Sequence, residues 1–243
     1  MINYVYPYLT LPVADALSAF RMSNFSGKII VFILFLGSIG AWSVMLSKYH
    51  EVCHAQKAAR TFLQRYRQGR HPLEIFQQQP RLAASPPAMI YIEVCRRLAG
   101  LIGGAGPGTD LTQAPYTMHE HEARALRNLA DQIMAEQALA LEKNMIFLAT
   151  AVTAAPFLGL LGTVWGVMDA FGGLALSGMA TMSAVAPGVS GALLTTVVGL
   201  VVALPSAIGY NFLTGRIRGL NILNEHFMQE FLADIESRFM RQP

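Results

Sequence analysis

The chain has 243 residues, 53% of them hydrophobic and only 14% charged, with a mean hydropathy of +0.39. Soluble domains carry roughly 25% charged residues, so this balance excludes an ordinary soluble fold and indicates a chain that faces lipid over much of its length. The net charge of +3 does not make it a nucleic-acid binder, because its Lys and Arg flank apolar segments and form no basic face interleaved with aromatics.

Residues 1–27 combine aromatics and prolines (YVYPYLTLP) with a loosely amphipathic stretch (VADALSAFRM), which reads as an interfacial segment with a short helix on the membrane surface. The uncharged run IIVFILFLGSIGAWSVMLS follows, bounded by Lys28 and Lys48 and long enough to span a bilayer. It is too long for the apolar core of a signal peptide, starts too far from the N-terminus and precedes no small-x-small cleavage site. Residues 28–47 are therefore assigned to the first spanning helix.

Residues 48–143 form a polar region of helical pattern. No Pro or Gly interrupts Lys48 to Gln68, so the first helix is expected to continue to Gly69. Ser85 followed by Pro86 marks a helix start, with an end near Gly100. LIGGAGPGTD lacks the Lys-Ser/Thr of a phosphate-binding loop and the spacing of a dinucleotide fingerprint, so it reads as a linker. Thr117 with Glu120 predicts a capping box. The helix it opens meets no breaker and is expected to run straight into the next span, as a rod projecting about 40 Å.

Between Lys143 and Arg216 the only formally charged residue is Asp169. Two spans fit here, at 144–171 and 188–213, joined by a Gly/Ser/Met-rich connection at 172–187. Small residues recur every fourth position: Ala151, Ala155, Gly159 and Thr163, with Gly162, Gly166 and Ala170 beside them, then Gly191, Thr195, Gly199, Ala203 and Ala207. Such ladders let backbones approach closely in lipid. Gly159, Gly162, Gly166 and Gly199 are accordingly expected to hold subunits of an oligomer together. Pro156, Pro187 and Pro205 each remove a helix N–H, and Pro156 and Pro205 are expected to bend their helices. Residues 214–243 form a terminal amphipathic helix, with Leu220, Leu223, Phe227, Phe231, Ile235 and Phe239 on one face.

Of the 18 Lys and Arg, all but Arg21 and Lys28 fall in the segments flanking or following the spans on one side. The positive-inside rule then places the N-terminus in the periplasm and the middle region and C-terminus in the cytoplasm. Cys53 and Cys95 sit on that inner side; they are too few for a disulfide framework and lack metal-ligand spacing. No GxSxG elbow and no carboxylate pair in a cleft suggests an active site, and His119 and His121 are spaced to face different sides of a helix. The sequence reads as a non-enzyme, with no cofactor or metal.

Polar residues inside the spans are more informative. By helical rise Thr163 and Thr196 both lie roughly 10–12 Å below the outer ends of their helices, at one level. They are either hydroxyls lining a narrow wet path or threonines bonding their own helix at i−4, as Thr150 and Thr153 can also do. No Asp, Glu, Lys, Arg or His occupies the central depth of any span, so a transported proton needs a titrating group from elsewhere.

APFLGLLGTVWGVMDAF, followed by VAPGVSGALLTTVVGLVVALPSAIGYN, closely resembles the TolQ/ExbB/MotA proton-channel family, most of all its TolQ and ExbB branches. The match is dense over about seventy residues, and the C-terminal NEHFMQEFLADIESRF is nearer the TolQ tail. The resemblance implies an all-α, multi-pass inner-membrane subunit, assembled as a homopentamer around a TolR/ExbD-like single-span partner whose aspartate carries protons. It implies a TolA/TonB-like protein as the further partner, and Thr163 and Thr196 as lining of the proton path. The implied role is TolQ-like, using the proton-motive force for outer-membrane maintenance and cell division. An ExbB-like role in outer-membrane import and a passive scaffold without ion flow are the alternatives. One position departs from the pattern the resemblance implies: a glutamate usual just after APG, three residues past its glycine, is Gly191 here, with Asp169 as an accessory carboxylate at the membrane interface.

Overall fold

The structure, a computed structural model, describes residues 17–21, 23–77, 85–102, 116–177 and 182–240. Most of the N-terminal segment and the Gly-rich linker read above lie outside the described residues. After a helical turn at 17–21 come α1 (Phe25–Gln68), α2 (Glu74–Gln77), α3 (Pro86–Leu101), α4 (Glu120–Glu142), α5 (Met145–Ser177) and α6 (Met182–Phe239). Among the described residues no strand forms, and a lone parallel bridge joins Met118 to Met240. Among the described residues three helices are long and apolar enough to cross a membrane: α1, α5 over Met145–Leu176 and α6 over Val185–Phe239.

Several boundaries differ from the sequence reading. The expected rod from the polar region into the second span is broken at Lys143, whose ψ is 135°, and Asn144, whose φ is 68°. Asparagine tolerates that left-handed conformation, and its carbonyl accepts the Phe147 N–H at 3.1 Å to start α5. The capping box lies two residues further on than Thr117–Glu120: the His119 N–H donates to Glu122 Oε2 at 2.8 Å. The 172–187 connection is shorter than read, because helix covers 172–177 and 182–187. Gly215 and Gly219 do not divide the third span from the terminal helix. Both lie inside α6, since an isolated helical glycine costs only about 1 kcal/mol. Pro156 lies inside α5 and Pro187 and Pro205 inside α6, and both helices continue past them.

The contacts divide the chain into two compact units. The first, residues 1–46 and 144–211, buries few large side chains; Ile30, Leu34, Ala155, Val202 and Ala203 form its core cluster. Phe32, Phe35, Phe157, Leu160, Val201 and Leu204 point outward. An outer surface of that kind suits lipid, where exposed apolar groups carry no penalty.

The second unit, residues 47–143 and 212–243, has a core of soluble type. Phe62 and Tyr66 of α1, Tyr91 of α3, and Phe227 and Phe231 of α6 pack with ring centroids 5.0 to 6.0 Å apart. Tyr91 Oη donates to Pro72 O at 2.8 Å and accepts the Phe76 N–H at 3.0 Å, which ties α2 to α3. Tyr66 Oη donates to Asp234 Oδ2 at 2.6 Å, and Arg67 makes a bidentate pair with Glu230 at 3.1 and 2.8 Å. Lys48 is buried, with Nζ 3.0 Å from Glu51 Oε1 and 3.4 Å from Ala140 O. Cys95 is enclosed in the core, and burial pushes its thiol well above the usual range.

Candidate functional site

Within the apolar unit, α5 and α6 meet along their small residues. A Cβ built on Gly162 would stand 2.6 Å from Thr195 Cβ, one on Gly166 2.6 Å from Ala192 Cβ, and one on Gly199 2.6 Å from Ala155 O. At Gly159 it would lie 2.8 Å from Thr195 O. Real Cβ atoms do not approach so closely, so these glycines set the distance between the two backbones. Within one chain, these glycines let α5 and α6 approach each other.

That approach carries hydroxyls and carbonyls together. Thr163 Oγ1 and Thr196 Oγ1 are in direct hydrogen-bond contact. Thr163 Oγ1 also lies 3.2 Å from Gly159 O on its own helix and 3.1 Å from Ala192 O on the other. Thr196 Oγ1 reaches Gly159 O across the interface at 3.1 Å. The two sequence readings of Thr163 are thus compatible, for it faces both its own i−4 carbonyl and its counterpart. Thr150 and Thr153, by contrast, bond only within α5, to Ile146 O at 2.8 Å and to Ala149 O and Thr150 O at 3.2 Å.

A third hydroxyl belongs to this cluster, one that the sequence reading placed in the small-residue ladder and not in the proton path. Thr195 has no exposed surface, and its Oγ1 lies 2.7 Å from Ala192 O and 2.9 Å from Gly159 O. Its place in the small-residue ladder opposite Gly162 was the available signal. Thr163 and Thr196 are only partly buried, so the cluster has one closed member and two that reach the surface of the unit.

Asp169 is not part of it. The carboxylate lies six residues along α5, about 9 Å by helical rise, and accepts a hydrogen bond from Asn24 Nδ2 at 3.0 Å. Its side chain is exposed. At Gly191 the space is taken by backbone: a Cβ there would lie 2.7 Å from Ser23 Cα. The segment ahead of α1 therefore takes the space that a side chain at 191 would need. Among the described residues no three His, Cys, Asp or Glu side chains gather as metal ligands.

The chain is 30% identical over 226 residues to the Tol-Pal system protein TolQ of Haemophilus influenzae, covering 88% of this chain and 91% of that protein. The chain belongs to the MotA/TolQ/ExbB proton channel family. The family's own model matches residues 107–225, which include α5 and the part of α6 that carries the hydroxyl cluster. The TolQ of Pseudomonas aeruginosa is 31% identical over 210 residues, 85% of this chain and 86% of that one. The biopolymer transport protein ExbB of Pseudomonas putida is 47% identical, but over 72 residues, 30% of this chain and 22% of its own. Similarity to these TolQ proteins is thus spread along the chain, while similarity to the Pseudomonas putida ExbB is concentrated in 72 residues.

Proposed function

We propose that this membrane protein is the TolQ-like subunit of an inner-membrane motor driven by the proton-motive force. Its N-terminus is periplasmic and its polar unit and C-terminus are cytoplasmic, as the Lys and Arg distribution supports. Copies of the chain, five by family resemblance, surround a TolR/ExbD-like single-span partner, and a TolA/TonB-like protein transmits the movement to the cell envelope.

The observation that carries the reading is the Thr163–Thr196 hydroxyl contact, in helices with no ionisable side chain at that depth. Hydroxyls solvate and relay a proton but cannot store one near neutral pH. The group that binds and releases the proton is then a carboxylate on the partner helix, with Thr163 and Thr196 beside it. Each proton crossing 100 mV releases about 2.3 kcal/mol, so a few are sufficient to repack a helix interface. The length of the TolQ alignments favours this role over the ExbB-like one, which the higher identity over 72 residues keeps as the second reading.

The test is proton flux in sealed vesicles. The chain alone is expected to pass no protons, and to pass them when co-expressed with its single-span partner. Flux from the chain alone would contradict the assignment of the titrating group to the partner.

A further inference from the structure

Thr195 matters through a count of protons and lone pairs. A hydroxyl has one proton to donate and a carbonyl two lone pairs to accept with. In α5 the Gly159 carbonyl already takes the Thr163 N–H, and in α6 the Ala192 carbonyl takes the Thr196 N–H, as i−4 carbonyls do. One lone pair remains on each. Three hydroxyls lie within reach of these two: Thr195 at 2.9 and 2.7 Å, Thr163 at 3.2 and 3.1 Å, and Thr196 at 3.1 Å from Gly159 O. Thr195, fully enclosed, takes one of them. Thr163 and Thr196 then have one carbonyl lone pair between them, and one of their two protons is left over. It lies between the two hydroxyl oxygens or points away from the chain.

We propose that Thr195 is a positioning residue that leaves a surplus hydroxyl proton at the Thr163–Thr196 pair, for donation to the ionised carboxylate of a partner helix. This rests on the proton-path reading above. Without the Thr195 hydroxyl, Thr163 bonds Ala192 O and Thr196 bonds Gly159 O, and no proton is spare. Donation to the charged form of a carboxylate lowers its pKa, so Thr195 tunes the pH at which the partner releases its proton. Among the described residues, the charged and titratable groups of the packed elements are few. The segment before α1 has Arg21; α1 has Lys28, next to Gly27, whose Cβ would lie 3.7 Å from Thr195 Cγ2, and then none before Lys48; α5 has only the Asn24-bonded Asp169. On α6 there are none before Tyr210, about 20 Å along the helix.

The experiment measures proton flux against pH in vesicles holding the full chain and its single-span partner. Thr195→Val, close in shape, and Thr195→Ala, which cannot clash, are each expected to raise the midpoint by about one pH unit. Thr195→Ser is expected to keep the wild-type midpoint. A wild-type midpoint in both the Val and Ala variants, with a Thr163→Val/Thr196→Val double variant inactive, would overturn this inference alone. A Ser variant shifted as far as Val would show that the residue only packs. Wild-type flux from the double variant would remove the proton-path reading and this inference with it.

Discussion

In the apolar unit α5 and α6 approach backbone to backbone at Gly159 and Gly199, with hydroxyls bridging between carbonyls. In the polar unit they run ring to ring, through Phe62, Tyr66, Tyr91, Phe227 and Phe231. The same chain uses opposite materials because the two surroundings reward different things. In water, burying large rings is itself favourable, at about 25 cal/mol per Å². In lipid that gain is absent, so helices are held by close van der Waals contact and by hydrogen bonds that only small residues and short hydroxyls permit. The proposed proton path uses that second kind of interface, whose small residues bring the hydroxyls of α5 and α6 together.

The comparison is broken most severely by adding bulk to the apolar unit. Gly162→Leu is expected to prevent α5 and α6 from meeting, because the first added atom already overlaps Thr195; the loss should reach or exceed the roughly 3 kcal/mol of an overpacked core. Gly172→Leu, with open space around it, should be tolerated. Thermal unfolding in detergent, followed by size-exclusion chromatography, separates the two, and equal stability would refute the packing account.

In the polar unit the reverse operation is the damaging one. Phe231→Ala removes a fully buried ring from the centre of the aromatic cluster and is expected to cost about 3–5 kcal/mol. Accelerated proteolysis and thiol labelling of the enclosed Cys95 report the loss, and an unreactive Cys95 in that variant would mean the cluster is dispensable.

Tyr66→Phe keeps the ring and deletes the hydrogen bond to Asp234, for an expected loss of about 1 kcal/mol. The smallest effect is at the start of α4. The His119 N–H holds the Glu122 carboxyl below its usual range. A carboxylate with a lowered folded pKa adds stability above its unfolded pKa and loses it as pH falls through the folded value. Glu122→Gln should therefore weaken the polar unit slightly at neutral pH and make no difference in strong acid. A gap that widened in acid would contradict the cap.

Much of the apolar unit was legible in the sequence, because span length and the absence of charge are local properties. Thr163 and Thr196 could be matched by depth, since helical rise turns residue number into height. Thr195 was not, because rise says nothing about which neighbouring hydroxyl turns inward; that depends on the facing Gly162. The break at Asn144 was missed because the surrounding pattern stays helical and a single left-handed residue interrupts no periodicity. The aromatic cluster joins residues from α1, α3 and α6 that lie far apart in the chain. Only the terminal face, from Leu220 to Phe239, announced its share.

Whether the hydroxyl pair serves proton movement is tested most directly by Thr163→Val with Thr196→Val, co-expressed with the single-span partner in sealed vesicles. The account predicts a normally assembled complex whose proton flux is abolished, while Thr163→Ser with Thr196→Ser retains it. Wild-type flux from the double valine variant would show that the two hydroxyls only fasten α5 to α6.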